Sequence, residues 1–345
     1  MLNMFKRTNQ FAALVMLFCF ILLISGCSSD AKNNTDQNNN NMPGDSTSGK
    51  VSEMEDAGKS PYPRKIDTAN GEITIEEEPE KVAIVHWGYL DSLLLFDLKS
   101  IAAALPFTEK QSVLSTESYK PYVDKLDELV IVGENEQVNL EALLDYDPDL
   151  IIAGNSINKD ITTKLSQIST TIVIDEEETN VWGDWPSLVR KFGEILAQED
   201  VAENYISEFN LRMETAKEKL ANLEGTVAFL QVRENMVWLQ GVDYLKQYYE
   251  GLGLKTPDAD TMKEGAQLSL EGLTELNPDH LFLGYFNYGD QSIPAITDEW
   301  EKGEVWKRLK SVQNDHVYPI NGELALGFGP IGHSYGVQAV LEALE

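Results

Sequence analysis

The chain has 345 residues, with 57 acidic against 27 basic side chains and a formal net charge of −30. Such a surface repels phosphate backbones, which excludes nucleic-acid binding. Apolar residues make up 42% and cysteine occurs only at Cys19 and Cys27. A buried core is therefore affordable in composition, while a disulfide framework or a Cys-rich metal site is excluded.

The chain opens with Lys6 and Arg7, then an uninterrupted apolar run from Phe11 to Ile24. That run is short for a membrane span and suits the apolar core of a secretory leader. It ends in Ile24-Ser25-Gly26-Cys27, which looks like a bacterial lipobox. The reading is a lipoprotein signal peptide over residues 1–26, cleaved to leave lipidated Cys27 as the first mature residue. Several acyl chains make such an anchor stable where one is marginal. Residues 27–60 are rich in Asn, Ser, Asp and Gly, including Asn38 to Asn41. They cannot form a core and read as a tether reaching roughly 30 Å as a flexible coil. The expected location is the extracytoplasmic face of the cell membrane.

Beyond the tether, short β runs alternate with amphipathic stretches. Strands are expected at Val82–Val85, Ser100–Ala104, Leu129–Val132, Leu150–Ile152 and Thr171–Ile174, with helices at Leu90–Leu98 and Leu140–Asp145. A second series has strands at Val227–Leu230 and Leu281–Leu283, and helices at Tyr244–Leu252 and Ser334–Leu344. Alternation of this kind predicts α/β lobes, each a mainly parallel sheet flanked by helices. Between them Val201, Tyr205, Phe209, Met213, Ala216, Leu220 and Leu223 recur at helical spacing, which predicts one long connecting helix of about 36 Å. The expected organisation is an N-terminal lobe over 61–182, a connecting region over 183–223 and a C-terminal lobe over 224–345.

An internal repeat links the lobes. Asn139-Leu140-Glu141-Ala142-Leu143 leads to Asp147-Pro148-Asp149-Leu150, and Ser269-Leu270-Glu271-Gly272-Leu273 leads to Asn277-Pro278-Asp279-His280-Leu281, each matched pair 130 positions apart. This suggests two lobes of related topology.

With these units, Gly71-Glu72-Ile73-Thr74-Ile75, Pro79 to Ala83, Trp306 to Leu309, Asn314 to Tyr318 and Gly329-Pro330-Ile331, residues 62–345 resemble the class III, or cluster A, periplasmic-binding-protein fold of iron–siderophore ABC importers. The resemblance implies two lobes that close modestly on a ferric siderophore. It also implies delivery to a membrane permease driven by a cytoplasmic ATPase, and docking of Glu141 and Glu271 against permease arginines. Two such acids read a symmetric basic surface. Each also sits in a first helical turn behind a cap residue, where the helix dipole alone favours it.

Loops that follow strands in open α/β sheets are where ligands bind. On the N-lobe these carry His86, Trp87, Tyr89, Phe107, Asn135, Asn155 and Ser156, with Trp182 further on. On the C-lobe they carry Arg233, Trp238, Tyr244 and the run Tyr285-Phe286-Asn287-Tyr288, then Phe328 and His333. The named ligand set is His86, Trp87, Tyr89, Phe107, Asn155, Arg233, Trp238, Tyr244, Tyr285 and Tyr288. Aromatic rings give contact area at low entropic cost, and Arg233 can fork onto an oxygen pair. Each aromatic also has a plain packing alternative, and Trp185 reads as helix packing. Lys110 and Lys159 are outlying bases, so a ferric hydroxamate or citrate–hydroxamate is favoured over a catecholate. The histidines His86, His280, His316 and His333 show no metal-pair spacing. No metal ligands, cofactor or catalytic residues are therefore expected, and iron is expected to arrive already chelated. Haem and cobalamin are alternative ligands. A surface hydrolase is a second alternative, but the chain has no Gly-x-Ser-x-Gly elbow, HExxH, Walker A or GxGxxG.

Overall fold

In a computed structural model, which describes residues 60–180 and 182–345, the apolar runs become two separate sheets. The leader, Cys27 and nearly all of the tether lie outside the described residues. A hairpin of β1 (Arg64–Thr68) and β2 (Gly71–Ile75) precedes the first sheet. That sheet contains β3 (Lys81–Ile84), β4 (Ser100–Ala104), β5 (Glu128–Glu134), β6 (Gln137–Val138), β7 (Leu150–Gly154) and β8 (Thr170–Ile174). Its order is β6-β5-β4-β3-β7-β8, parallel except for β6 at the edge.

The continuous apolar runs reflect burial on both faces. Val82 and Ile84 point into the core shared with the connecting helices, while Ala83 and Val85 pack with Leu143, Tyr146 and Leu165 on the other side. Alternation of side chains along a strand produces this division.

The second sheet contains β9 (Val227–Val232), β10 (Val237–Gln240), β11 (Ala266–Leu268), β12 (His280–Tyr285) and β13 (Val317–Asn321), in the order β11-β10-β9-β12-β13. Only β9, β12 and β13 pair in parallel. β10 runs antiparallel to both of its neighbours. A tight turn, in which the Arg233 amide donates to the Met236 carbonyl (3.0 Å), sends β10 straight back along β9.

The connecting region is two helices, Trp185–Leu196 and Glu199–Lys219, broken at Ala197 in the left-handed conformation (φ 55°). The second is about 32 Å long by helical rise. All seven residues of the expected apolar stripe, Val201 to Leu223, are buried or half-buried. Trp185 meets Phe209 and Tyr205 edge-on, with ring centroids 5.0 and 5.9 Å apart.

The repeat has a physical basis. Asn139 and Ser269 cap their helices through side-chain oxygens that accept backbone amides. Asp147 and Asn277 end those helices in the left-handed conformation. Asp149 and Asp279 then do the same work in each lobe. Asp149 Oδ2 accepts the Lys81 amide (2.8 Å) at the start of β3, and Asp279 Oδ2 accepts the Thr226 amide (2.9 Å) at the start of β9.

Two helices expected from the sequence are shorter or of another kind. Leu90–Leu98 is helical only over Leu90–Leu93, because Leu94, Leu95 and Phe96 turn inward ahead of β4. Tyr244–Leu252 contains a π-helical turn at Gln247–Gly251. There the neighbours Tyr248 and Tyr249 are both buried, with hydroxyls donated to the Ala325 and Gln240 carbonyls (2.6 and 3.2 Å).

Gly336, in the closing helix Pro330–Leu344, leaves room for the Tyr248 hydroxyl. A Cβ there would overlap that oxygen, and Tyr248 is held by its hydrogen bond and by stacking on Phe229 (4.9 Å). Gly336→Ala is expected to cost about 2 kcal/mol through overpacking, read as a lower midpoint in urea unfolding.

Candidate ligand-binding cavity

The carboxyl ends of the parallel strands in both sheets face one cavity of about 340 Å³. This is within the lower range for small-molecule sites. The N-lobe contributes Trp87 after β3, Leu105 to Phe107 after β4, and Glu136 between β5 and β6. The C-lobe contributes Gln231 and Arg233 from the end of β9, Gln240 of β10, Tyr244, Phe286 after β12, and Glu323, Leu324 and Leu326 to Gly329 after β13. The Asn135-Glu136 turn has φ of 51° and 63°. Its amides donate to the Phe107 and Leu105 carbonyls (3.2 and 3.1 Å), which fixes Glu136 beside Phe107.

The lining is mostly apolar and aromatic, with few charges. The Arg233 guanidinium lies over the Phe286 ring, 4.3 Å from its centroid. Burial pushes the Glu323 carboxyl up to about 7, and nearby Arg233 opposes this. The Tyr244 hydroxyl donates to the Leu326 carbonyl (3.1 Å), holding that ring at the wall.

Asp91 joins the lobes. It belongs to the short N-lobe helix Leu90–Leu93, and it caps the closing helix of the C-lobe. Its Oδ1 accepts the Ile331 amide (2.8 Å) and its Oδ2 the Gly332 amide (3.4 Å), while the Tyr119 hydroxyl donates to Oδ2. The helix has Gly329 at its own cap position, with no side chain to cap it. A Cβ on Gly329 would overlap the Asp91 carboxylate. Burial raises the Asp91 pKa to about 6, with the Tyr119 hydroxyl and the two amides pulling the other way. A second junction is aromatic: Trp182 meets Phe328 edge-on at 4.4 Å and lies 4.9 Å from Trp87.

Of the ligand set read from the sequence, Trp87, Phe107, Arg233 and Tyr244 line the cavity, as do Phe286 and Phe328 from the wider reading. The other six do not. His86 and Tyr89 are fully buried and stacked face to face at 3.7 Å, outside the lining. His86 Nδ1 accepts the Gly88 amide (3.0 Å) and burial lowers its pKa to about 3, which keeps the ring neutral beside Glu176. Asn155 Oδ1 accepts the Glu176 amide (3.1 Å) and ties two loops together. Tyr285 packs inward, hydroxyl to Thr297 Oγ1 at 3.1 Å. Trp238 lies opposite Gln231 across the β9–β10 ladder but outside the lining, and exposed Tyr288 is also outside it. His333 is buried against the Gly327 carbonyl and lowered to about 4.

Sequence reading missed Asp91, Tyr119, Glu136, Gln231, Gln240 and Glu323. Glu136 and Glu323 had one available signal, since each follows a strand in the same way as the aromatics. Asp91 had none, because the helix amides it caps lie about 240 residues away. Glu141 and Glu271 are both exposed. Among the described residues no group of three or more His, Cys, Asp or Glu side chains could hold a metal ion, and no helix is long and apolar enough to cross a membrane.

This arrangement, two sheets closing end-on over one cavity, defines a bilobal binding protein. A model of the periplasmic binding protein family matches residues 82–324, and the chain belongs to that family. Three proteins of Bacillus subtilis (strain 168) are similar in sequence. The iron-uptake system-binding protein is 27% identical over 202 residues, covering 57% of this chain and 62% of that protein. The match therefore spans less than two thirds of that relative. The iron(3+)-hydroxamate-binding protein YxeB is 29% identical over 232 residues (64% and 69%). The Fe(3+)-citrate-binding protein YfmC is 28% identical over 314 residues (90% and 89%). The first of these, FeuA, has been solved in complex with ferri-bacillibactin as a triscatecholate siderophore binding protein. That structure matches with a TM-score of 0.61 over 81% of this chain and 98% of its own, at 24% identity, so the fold is shared.

Asp91→Ala is expected to cost about 1–2 kcal/mol, because two amides and a hydroxyl lose their acceptor. Hydrogen exchange at Ile331 and Gly332 should accelerate beyond that at the rest of the closing helix. The carboxyl also carries a pH signature. Its folded pKa of about 6 lies above its ordinary 3.8, so between these values the folded state holds the extra proton. Its contribution to stability is full below about pH 4 and is lost as pH rises through about 6. Asp91→Asn should flatten that part of the pH–stability curve.

Proposed function

We propose that the protein is the extracytoplasmic, membrane-anchored binding component of an ABC importer, capturing a ferric siderophore and delivering it to a permease with a cytoplasmic ATPase. The observation that carries this reading is the aromatic cavity at the strand ends of two lobes in a family whose similar members are named for iron–chelate binding. The domain reading accompanies it: leader 1–26, tether 27–60, lobes 61–182 and 224–345, and a connecting region over 183–223.

A hydroxamate or citrate–hydroxamate ligand is supported by the single basic side chain, Arg233, in the lining. Haem receives less support, because His86 and His333 are buried outside the cavity lining and so are poorly placed as axial ligands. Nothing in the lining favours cobalamin, and the family is one of binding proteins rather than hydrolases. Permease docking through Glu141 and Glu271 is supported by their exposure and by their matched places at helix starts beyond β6 and β11.

Ligand capture is tested by tryptophan-fluorescence titration of the purified chain with ferric hydroxamates, ferric citrate, ferric catecholates, haem and cobalamin. The expected result is saturable quenching by a ferric hydroxamate, reduced in Trp87→Phe. Saturation by haem alone would replace the ligand and keep the architecture. Docking is tested with Glu141→Arg combined with Glu271→Arg. Iron uptake by cells should be lost with ligand affinity retained, and a loss of affinity instead would remove the docking role. Cys27→Ser should release the protein from the membrane fraction.

A further inference from the structure

The cavity carries an unusual charge balance for a binder of iron complexes. Its lining holds one cation, Arg233, against three carboxylates, Asp91, Glu136 and Glu323. Asp91 is already answered within the protein, and Arg233 and Glu323 offset one another in part. Arg233 lies over the Phe286 ring and faces Glu323, and Asp91 is held by two helix amides and the Tyr119 hydroxyl. Lys110, on the same N-lobe segment as Phe107, is outside the lining and acts on Asp290 of the C-lobe. What remains facing an occupant is Glu136 on the N-lobe and, partly offset by Arg233, Glu323 on the C-lobe, between aromatic rings whose faces also favour cations.

We infer that the cavity selects ferric chelates by charge: it rejects those with net negative charge and prefers a hydroxamate complex that carries a cationic arm, with Glu136 and Glu323 setting the preference. This rests on the ferric-siderophore reading and narrows it. The charge of each chelate follows from its donors. Three catecholates bring two negative charges each to Fe(III) and leave a trianion, whereas three hydroxamates bring one each and leave a neutral centre. Citrate-containing complexes are also anionic, so of the two ligand classes proposed above the charge preference keeps the hydroxamate and drops the citrate–hydroxamate. A trianion entering this lining would meet an excess of carboxylates, in a cavity where burial already raises Glu323. An ammonium arm would relieve that excess. The whole-chain charge of −30 acts in the same direction on approach. The preference separates this chain from the solved relative described as a triscatecholate binder, although the fold is shared.

The test is a titration of the purified chain with three probes: the ferric complex of a linear trihydroxamate bearing a terminal ammonium, the same complex N-acetylated on that amine, and a ferric tris-catecholate. The ammonium form should bind roughly ten-fold more tightly than the acetylated form, as expected for two partly screened carboxylates. The tris-catecholate should show no saturable binding over the same range. In Glu136→Gln combined with Glu323→Gln, the ratio between ammonium and acetylated forms should collapse towards one, and the tris-catecholate should gain affinity. Glu136→Gln alone, at an exposed turn, should lower the ratio without disturbing the fold, which keeps the test open if the double variant is unstable. An unchanged ratio in these variants, or wild-type binding of the tris-catecholate equal to that of the hydroxamates, would overturn the charge preference while leaving siderophore binding in place. If none of the three probes binds, the siderophore reading falls and the preference falls with it.

Discussion

The closing helix begins with a glycine, and its first amides need an acceptor that its own lobe does not supply. Asp91 supplies it from the other lobe. Helix N-termini carry unsatisfied donors and partial positive charge, so a carboxylate there is well placed. Here the cap also fixes the two sheets relative to one another at the wall of the cavity. The nearby junctions depend on the same approach. Tyr205 of the connecting helix donates to the Pro330 carbonyl or Ser334 hydroxyl (3.0 and 2.9 Å), and Phe328 seats against Trp182. Gly329 is required because any side chain at that position would occupy the space of the carboxylate.

Much of this architecture was legible because it rests on local rules. Continuous β-branched runs mark strands buried on two faces, and the stripe from Val201 to Leu223 marks the connecting helix. The repeat marks itself, since Asn139 and Ser269 are favoured cap residues at matching places, and Asp149 and Asp279 each tie a helix-to-strand loop to the start of an earlier strand. What sequence missed depends on partners far along the chain. The π-helical turn arises because two adjacent tyrosines each need a carbonyl, one of them from Ala325, 77 residues on. The antiparallel β10 was missed because Val237 to Gln240 is short and follows its turn without a glycine.

The candidate site was half legible for a related reason. A residue after a strand can be assigned to the right end of the sheet, but not to the right face. Trp87 turns to the cavity while His86, one position earlier, turns into the core and stacks on Tyr89. Phe286 lines the cavity and Tyr285 does not. The carboxylates were harder still, because Asp91, Glu136 and Glu323 are three among 57 acidic residues and nothing local distinguishes them. Once assembled, Glu136 and Glu323 decide the charge preference inferred for the cavity, since aromatic walls accept many chelates and the charge balance does not.

The central claim is that the space between the lobes receives a chelated iron. Crystals grown with a ferric trihydroxamate and measured at the iron absorption edge test it directly. The account predicts one anomalous peak inside the cavity, bounded by Trp87, Arg233 and Phe286, with the metal's coordination supplied by the chelator. A peak elsewhere on the molecule, or iron ligated by protein side chains alone, would contradict it.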